Sequence, residues 1–292
     1  MVLQITEGVQ MRKKRFEALL LSLVLALSPL STMQIQAKNV SDDTNVKTAQ
    51  NTGYIESDLD RNVPVHRAGV AAYAMLPSAY STDIDACRRE YPAVRDQNPY
   101  GTCWTFSSTG LAEFDLINDG LAYKDTIDFS EAQLAYFTYN FVTDPLGGTE
   151  GDIAKYYNEL ASTTYQNRGG NFEYSVRRLS QWIGMVNESD VPYSIIKNDA
   201  SAAIDSKYAY GANQAHLQNA YEINIKQQPQ DVKQMIKEHG AVGAMYYDRD
   251  AGWAFYGGDS YTYYDSDRAG GGHAIMIVGL SLIHISEPTR RS

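Results

Sequence analysis

The apolar positions of this chain fall into three patterns. Residues 18–30 are almost wholly apolar and directly follow a basic cluster at residues 12–15. Beyond Cys103, apolar residues recur at helical spacing, at Phe106, Leu111, Phe114 and Ile117. Residues 274–278 form a continuous apolar run that follows three glycines, which favours a buried strand. The patterns predict an N-terminal apolar segment, a helix from position 103 and a β region nearer the C-terminus.

The first apolar segment has the layout of a secretory signal peptide. The basic cluster precedes the apolar run, and Ile35-Gln36-Ala37 offers a cleavage site. The run is shorter than the roughly 20 residues that a membrane-spanning helix needs, so we expect no stable span after cleavage, with an uncleaved anchor as the alternative. We assign residues 1–37 to this peptide and place its true start at Met11. Residues 38–75 are polar and predict a linker or short propeptide.

Composition and charge limit the class of protein that follows. The chain has 292 residues, of which 43% are hydrophobic and 21% charged, as expected for one globular domain with extensions. The formal net charge is −10, and because residues 1–37 carry four basic and two acidic side chains (+2), the remainder carries −12. An acidic body disfavours nucleic acid and anionic membranes as partners. The sequence predicts no cofactor and no metal site, and it leaves the oligomeric state open.

Cys103 stands in a setting that suits a nucleophile. Gln97 precedes it by six residues, Gly101 by two, and the helical apolar pattern begins just after it. An ordinary thiol, with a pKa near 8.5, is mostly protonated at neutral pH, whereas free N–H groups at a helix start favour the thiolate. The only other cysteine is Cys87, which argues against a disulfide framework.

A thiolate of this kind needs an imidazole partner, and His273 fits best. It follows the glycines at 270–272 and begins the apolar run, so backbones can approach closely and a strand can hold the ring. His239 precedes Gly240 at the end of a helical pattern, where a cation is favourable. The remaining histidines lie in segments without such a pattern: His66, His216 and His284.

These segments resemble the papain-type (C1) cysteine peptidases. Gln97, the run Gly101–Trp104 and the run Gly272–Ala274 are similar to the family's oxyanion, nucleophile and base segments. Further matches follow in the family's order at Asp128–Leu134, Gly169–Asn171, Gly184–Tyr193 and Gly240–Val242. The resemblance runs over residues 76–280 and implies an α+β fold. It would have a helical left lobe, an incomplete antiparallel β-barrel as right lobe, and a peptide-binding cleft between them.

The resemblance also implies a role for each site residue. Cys103 would attack the scissile carbonyl, and His273 would carry the proton to the leaving amine. The Gln97 side-chain amide and the Cys103 backbone N–H would stabilise the oxyanion. Gly169-Gly170 would bind the substrate backbone, and Trp104 would pack behind the nucleophile. The implied function is that of a cysteine-type endopeptidase acting on peptide or protein substrates.

The chain departs from the family's pattern in ways that affect this reading. Tyr100 stands where many members have a disulfide-bonded cysteine, so we expect Cys87 to be a buried free thiol. No segment after His273 offers the asparagine that orients the family's imidazole. Residues 281–292 resemble a translated sequencing adapter, and we interpret the chain as a C-terminally truncated fragment, inactive by itself. Residues 38–75 lack the charged helices of the family's inhibitory prodomain.

An acidic glycine-rich run and the low number of cysteines bear on where the protein acts. The run Thr143–Asp152 is acidic and glycine-rich; calcium could use such oxygens, but a solvated insertion is the simpler interpretation. With Tyr136–Asn140 it resembles a bacterial branch in which a lectin-like domain follows the peptidase. Few cysteines in an exported chain favour a secreted or cell-surface protein of a Gram-positive bacterium.

A catalytically silent papain-like binding or adhesion protein is the alternative function, and acyl transfer would use the same residues.

Overall fold

The structure is a computed structural model that describes part of the chain. The described residues are 1–7, 53–57, 60, 76–77, 79–81, 91–140, 142, 165–199, 201–248, 253–255, 261–263 and 270–281. Several segments named above lie outside them: the predicted signal peptide from Met11, most of residues 38–75, Cys87, the acidic run from Thr143 and the tail from residue 282. Within the described residues, no helix has the length and apolar character needed to cross a bilayer.

One long helix, α1, organises the described part of the chain. It begins at Cys103, as the apolar spacing predicts, and contacts helices and strands of both lobes. Five shorter helices and a 3₁₀ turn at Tyr165–Asn167 follow it. In chain order the helices are α1 (Cys103–Asn118), α2 (Glu131–Tyr139), α3 (Phe172–Ser180), α4 (Tyr193–Asn198), α5 (Lys207–Tyr210) and α6 (Pro229–His239).

Local sequence signals account for several helix ends. Ser130 begins α2 by accepting a hydrogen bond from the N–H of Gln133, and Asn171 begins α3 by accepting one from Tyr174. The glycine at position 240 ends α6 with a φ of 82°, a left-handed conformation that glycine adopts without steric cost. The predicted end of this helix at His239 is therefore confirmed.

The described strands form antiparallel two-stranded pairs. They are β1 (Val2–Glu7), β2 (Ala79–Ser81), β3 (Ala215–Tyr221), β4 (Val242–Asp248), β5 (Trp253–Phe255), β6 (Tyr261–Tyr263), β7 (Gly271–Ile277) and β8 (Gly279–Ser281). The pairs are β1–β3, β2–β8, β4–β7 and β5–β6. The α+β fold class is thus confirmed, with the antiparallel strands of the described residues open rather than closed into a barrel.

The strand β1 connects the N-terminus to the core. Leu3 is 1% exposed, and the Met1 amino group donates a hydrogen bond to the carbonyl of Gly243 at 2.8 Å. Burial lowers the pKa of that amino group to about 6, although the carboxylates of Glu222 and Asp60 oppose the change. Residues 2–7, which precede the start that the sequence predicts at Met11, therefore form a strand that pairs with β3.

The described residues contain three hydrophobic clusters, and the largest of them joins the two lobes. The largest one includes Cys103, Trp104 and Leu116 of α1 together with Ala274 of β7, so it joins the helical and β regions. The second cluster lies beneath α2, α4 and α5 and contains residues such as Ile196. Because α1 is buried in the largest cluster, its first residue has a fixed position relative to β7.

Candidate active site

Cys103 occupies the first position of α1 and is almost completely buried, at 1% exposure. The backbone N–H of Ala274, in β7, points at its sulfur with an N···Sγ distance of 3.5 Å. Burial raises the pKa of the Cys103 thiol to about 11, while hydrogen bonds from the N–H groups of Ala274, Trp104 and Cys103 itself oppose that rise. In this form of the site the thiol is neutral.

His273 lies in β7, directly beside the residue that contacts the sulfur. In the β4–β7 register it stands opposite Tyr246, and the two rings meet edge to face with centroids 5.6 Å apart. The ring is half-buried, and its buried Nδ1 atom has no hydrogen-bond partner among the described residues. Burial lowers the pKa of His273, although the carboxylate of Asp248 acts in the opposite direction. The imidazole is therefore neutral and is held by packing.

One cavity joins the three predicted catalytic residues. It has a volume of about 380 Å³, and Gln97, Cys103 and His273 all line it. Apolar side chains, among them Phe114 and Met276, form much of the remaining wall. A reacting group in this cavity would lie among the residues that carry a thiol, an imidazole and an amide.

Gln97 reaches this cavity from an irregular segment, Tyr91–Tyr100, rather than from a helix or strand. Its side-chain amide nitrogen donates to the carbonyl of Tyr100 at 3.0 Å. The backbone carbonyl of Gln97 accepts a hydrogen bond from the hydroxyl of Tyr193 at 2.6 Å. The bond to Tyr100 thus orients the side-chain amide, the bond from Tyr193 holds the backbone of Gln97, and Gln97 lines the cavity.

A buried ionic cluster fixes the same segment, and it is a feature that the sequence analysis missed. The Arg95 guanidinium forms ion pairs with Glu113 of α1, with Asp128 and with Glu131 of α2. Burial raises the pKa of Glu113 to about 8 and that of Glu131 to about 7, although Arg95 opposes both shifts. The available signal was a glutamate at position 113 inside an otherwise apolar helical pattern.

Residues 53–55 form backbone hydrogen bonds with Gly170, one of the two glycines predicted to bind the substrate backbone. The N–H of Gly170 donates to the carbonyl of Gly53 at 2.8 Å, and the N–H of Ile55 donates to the carbonyl of Gly170 at 2.8 Å. Together these bonds make a parallel bridge between Tyr54 and Gly170. On the other side, the N–H of Tyr54 donates to the carbonyl of Gly272 at 3.1 Å. We call Gly53–Ser57 the cleft segment, since it runs between Gly170 and the residue that precedes His273.

Trp104 lies directly beneath the glycine that the cleft segment contacts. It is 1% exposed, and a Cβ atom added to Gly170 would lie 2.3 Å from its ring. Gly169 adopts a φ of 73°, and its carbonyl accepts a hydrogen bond from the hydroxyl of Tyr139 at 2.8 Å. Glycine at 170 therefore allows a peptide backbone to approach the site while the Trp104 ring supports it from behind.

The other histidines of the described residues lie away from this cavity. His239 ends α6, where its Nδ1 atom pairs with the carboxylate of Asp115 at 2.7 Å. His216 lies in β3, and its ring packs against Trp182 with centroids 4.5 Å apart. In the described part of the chain, no three or more His, Cys, Asp or Glu side chains are grouped so that they could hold a metal ion.

The chain is similar to known proteins in both sequence and fold. Residues 80–284 match the family described as papain family cysteine protease. A cysteine protease of Blomia tropicalis is 24% identical over 193 residues, which are 64% of this chain and 48% of that protein. This chain thus spans about half the length of that curated relative.

Two solved structures share the fold at low sequence identity. One contains the cysteine protease and lectin-like domains of Cwp84, a surface layer associated protein of Clostridium difficile, with a TM-score of 0.50 and 21% identity, over 70% of this chain and 39% of that one. The other is xylellain, a cysteine protease from Xylella fastidiosa, with a TM-score of 0.51 and 15% identity, over 82% and 84% of the two chains. The family match covers most of the chain, and the chain therefore belongs to the papain family of cysteine proteases.

Proposed function

We propose that this chain carries the catalytic site of a secreted cysteine-type endopeptidase, with Cys103 as nucleophile and His273 as general base. The observation that carries the proposal is the single cavity lined by Gln97, Cys103 and His273, at the start of a buried helix. Membership of a peptidase family supports the reaction class, and the geometry supports the choice of residues.

The reaction follows from the chemistry of these groups. The Cys103 proton passes to His273, and the thiolate attacks the carbonyl carbon of the scissile bond. The Cys103 N–H and the Gln97 amide stabilise the oxyanion that forms, and His273 returns the proton to the leaving amine. Water then hydrolyses the acyl-enzyme by the same route.

The described form of the site would have to change before turnover. Burial keeps both Cys103 and His273 neutral, and the cleft segment holds the backbone groups of Gly170. A substrate that uses Gly170 must displace the cleft segment, and water entering at that point would reduce the desolvation that raises the pKa of the thiol. We therefore expect activity to require movement of Gly53–Ser57.

Hydrolysis should be tested on the parent protein, by which we mean the natural gene product with its own continuation after Gly279. Cys103→Ala should abolish cleavage of a fluorogenic peptide while leaving the circular dichroism spectrum unchanged, because only the sulfur is lost. Cys87→Ser is the matched control and should retain activity. Cleavage by the Cys103→Ala variant together with loss in the Cys87→Ser variant would reverse the assignment.

A catalytically silent binding protein is the second candidate. The hydrogen bonds that join Gly170 to Gly53 and Ile55 favour it, because they occupy backbone groups that a substrate would use. The two functions differ in a simple observable. A silent protein would show no peptide hydrolysis in the parent form after removal of residues 38–57, whereas the proposed peptidase should become more active when the cleft segment is removed.

Secretion is part of the proposal and has its own test. The basic cluster, the apolar run and the polar residues after position 37 support export. Cwp84, one of the structural neighbours, is a surface layer associated protein. N-terminal sequencing of the protein recovered from the bacterial culture medium or cell wall should begin near Lys38, and an unprocessed terminus at Met11 or Met1 would contradict signal cleavage.

A further inference from the structure

We infer that Tyr193 is a positioning residue for the oxyanion site, because its hydroxyl group ties the Gln97 segment to the residue that precedes Cys103. The inference rests on the proposed function, since it concerns how the two proposed oxyanion donors are held together. Tyr193 follows Pro192 at the start of α4, 90 positions after Cys103 along the chain. Its role arises from tertiary contacts rather than from chain proximity.

The hydrogen bonds of this hydroxyl form a two-step bridge. The Tyr193 hydroxyl donates to the carbonyl oxygen of Gln97 at 2.6 Å. The same oxygen lies 2.6 Å from Oγ1 of Thr102. A hydroxyl group has a single proton, and here Gln97 accepts it, so Thr102 must donate to Tyr193. The bridge therefore runs from Thr102 through Tyr193 to Gln97.

The bridge matters because the two donors come from different segments. The Cys103 N–H is fixed by α1, whereas Gln97 lies in the irregular segment Tyr91–Tyr100. Stabilisation of an oxyanion depends steeply on where each donor points, and a shift of about 1 Å can cost about 10²-fold in rate. The hydrogen-bond bridge through the Tyr193 hydroxyl, from Thr102 to the Gln97 carbonyl, limits the relative movement of the two donors.

Tyr193 is itself held firmly enough to act as a bridge. It is 6% exposed, and its ring packs edge to face against Phe106 of α1 with centroids 4.9 Å apart. Its backbone N–H donates to the carboxylate of Glu188. Burial raises the pKa of its hydroxyl, so the group keeps its proton and continues to donate at all pH values of interest.

Tyr193 acts at one remove from the reacting atoms. It is not among the described residues that line the cavity, whereas Gln97 and Cys103 are. Any effect of its hydroxyl group on the reaction must therefore pass through Gln97 or Thr102, the two residues to which that group is bonded. A positioning role of this kind predicts a change in transition-state stabilisation without a change in the reactivity of the thiol.

The test is Tyr193→Phe in the parent protein, which removes one oxygen atom and keeps the ring that packs on Phe106. We expect kcat to fall by about tenfold with KM within about twofold, less than the about 10²- to 10³-fold loss expected for removal of an oxyanion donor. The rate at which iodoacetamide alkylates Cys103 should stay unchanged, because that reaction forms no oxyanion. Tyr165→Phe is the matched control, since it removes a hydroxyl that donates to the carbonyl of Ala202 at 3.1 Å, outside the site.

A double-variant cycle separates positioning from a general structural effect. If Tyr193 acts through Gln97, then Tyr193→Phe should cost little once Gln97→Ala has removed the amide, within about threefold of the single variant. Losses that multiply in the double variant would overturn the inference, as would an unchanged kcat in Tyr193→Phe or an equal loss of alkylation. Should Tyr193→Phe fold poorly, Thr102→Val breaks the same bridge from its other end and is expected to show the same split between kcat and alkylation.

The failure of this inference is distinguishable from failure of the proposed function. A parent protein that neither hydrolyses peptides nor reacts with iodoacetamide at Cys103 would reject the proposed function. An active parent protein in which Gln97→Ala is impaired and Tyr193→Phe is not would reject only the positioning role of Tyr193.

Discussion

The two predicted catalytic groups are held in very different ways. Cys103 begins α1, a helix whose residues are nearly all buried and which packs against elements of both lobes. His273 lies in β7, whose strand partner among the described residues is β4, and its buried Nδ1 atom has no partner there. Packing in the core is therefore enough to fix the position of the Cys103 thiol. The orientation of the His273 imidazole also requires a hydrogen-bond partner for its second ring nitrogen.

The largest expected effect concerns the His273 side of this comparison. On the interpretation that residues 281–292 derive from an adapter, residues 38–280 expressed alone should be poorly soluble and essentially inactive. Among the described residues the buried Nδ1 atom of His273 has no hydrogen-bond partner, and the antiparallel strands present an open edge. Restoring the natural continuation after Gly279 should raise peptide hydrolysis per mole of soluble protein by about 10⁴-fold, as expected from the loss of an orienting group in a related triad. Equal turnover by the two forms would show that His273 needs no downstream acceptor.

A smaller loss of stability and activity is expected from changes near Cys103, which core packing holds in place. Gly170→Ala would place a Cβ atom 2.3 Å from the ring of Trp104, the residue after the nucleophile. Overpacking of this kind costs about 1–3 kcal/mol of stability, so the urea midpoint and kcat should both fall.

Relief of the clash provides the control for that variant. Adding Trp104→Phe to Gly170→Ala makes room for the new methyl group and should recover part of the lost stability. If Gly170→Ala alone is as stable and active as the wild type, the contact between Gly170 and Trp104 does not position the nucleophile.

The smallest expected effect concerns the far end of α1. The hydrogen bond to Asp115 raises the pKa of His239 above its usual value, although burial opposes it. Because the folded-state pKa is the higher one, the stabilisation is fully present below about pH 6.5 and is lost as the pH rises through the folded-state pKa. His239→Gln should therefore lower the free energy of unfolding by about 1 kcal/mol near pH 6 and by much less near pH 9.

Urea unfolding at the two pH values measures this difference. Lys237→Gln is the matched control, because it removes an exposed cation from the same last turn of α6. A loss of stability in His239→Gln that is equal at both pH values would mean that the pair with Asp115 contributes through packing rather than through charge.

Local patterns were enough to predict much of the fold around the proposed site. The helical spacing after Cys103 predicted the start of α1, and Gly240 predicted the end of α6. The apolar run after the glycines at 270–272 predicted the strand that contains His273. Each of these signals lies within about ten residues of the feature it predicts, where backbone preferences and burial act directly.

Features created by distant segments could not be predicted in the same way. The Tyr193 bridge, the ion pairs of Arg95 and the contact between Gly53 and Gly170 join residues that are far apart in sequence. The polar composition of residues 38–75 predicts a linker or short propeptide, but it gives no sign that Tyr54 is 7% exposed and pairs with Gly170. Backbone hydrogen bonds of this kind depend on where the two segments lie in the fold, and the pattern of apolar and polar side chains does not predict them.

The central claim is that Cys103 is the reactive nucleophile, and covalent labelling tests it most directly. The parent protein should be treated with an epoxide inhibitor of cysteine peptidases, and the modified residue should be mapped by peptide mass spectrometry. We predict one adduct per chain, on Cys103, with loss of peptide hydrolysis in proportion to labelling and no adduct in the Cys103→Ala variant. Full hydrolysis with no adduct on Cys103, or equal labelling of the wild type and the Cys103→Ala variant, would contradict the account.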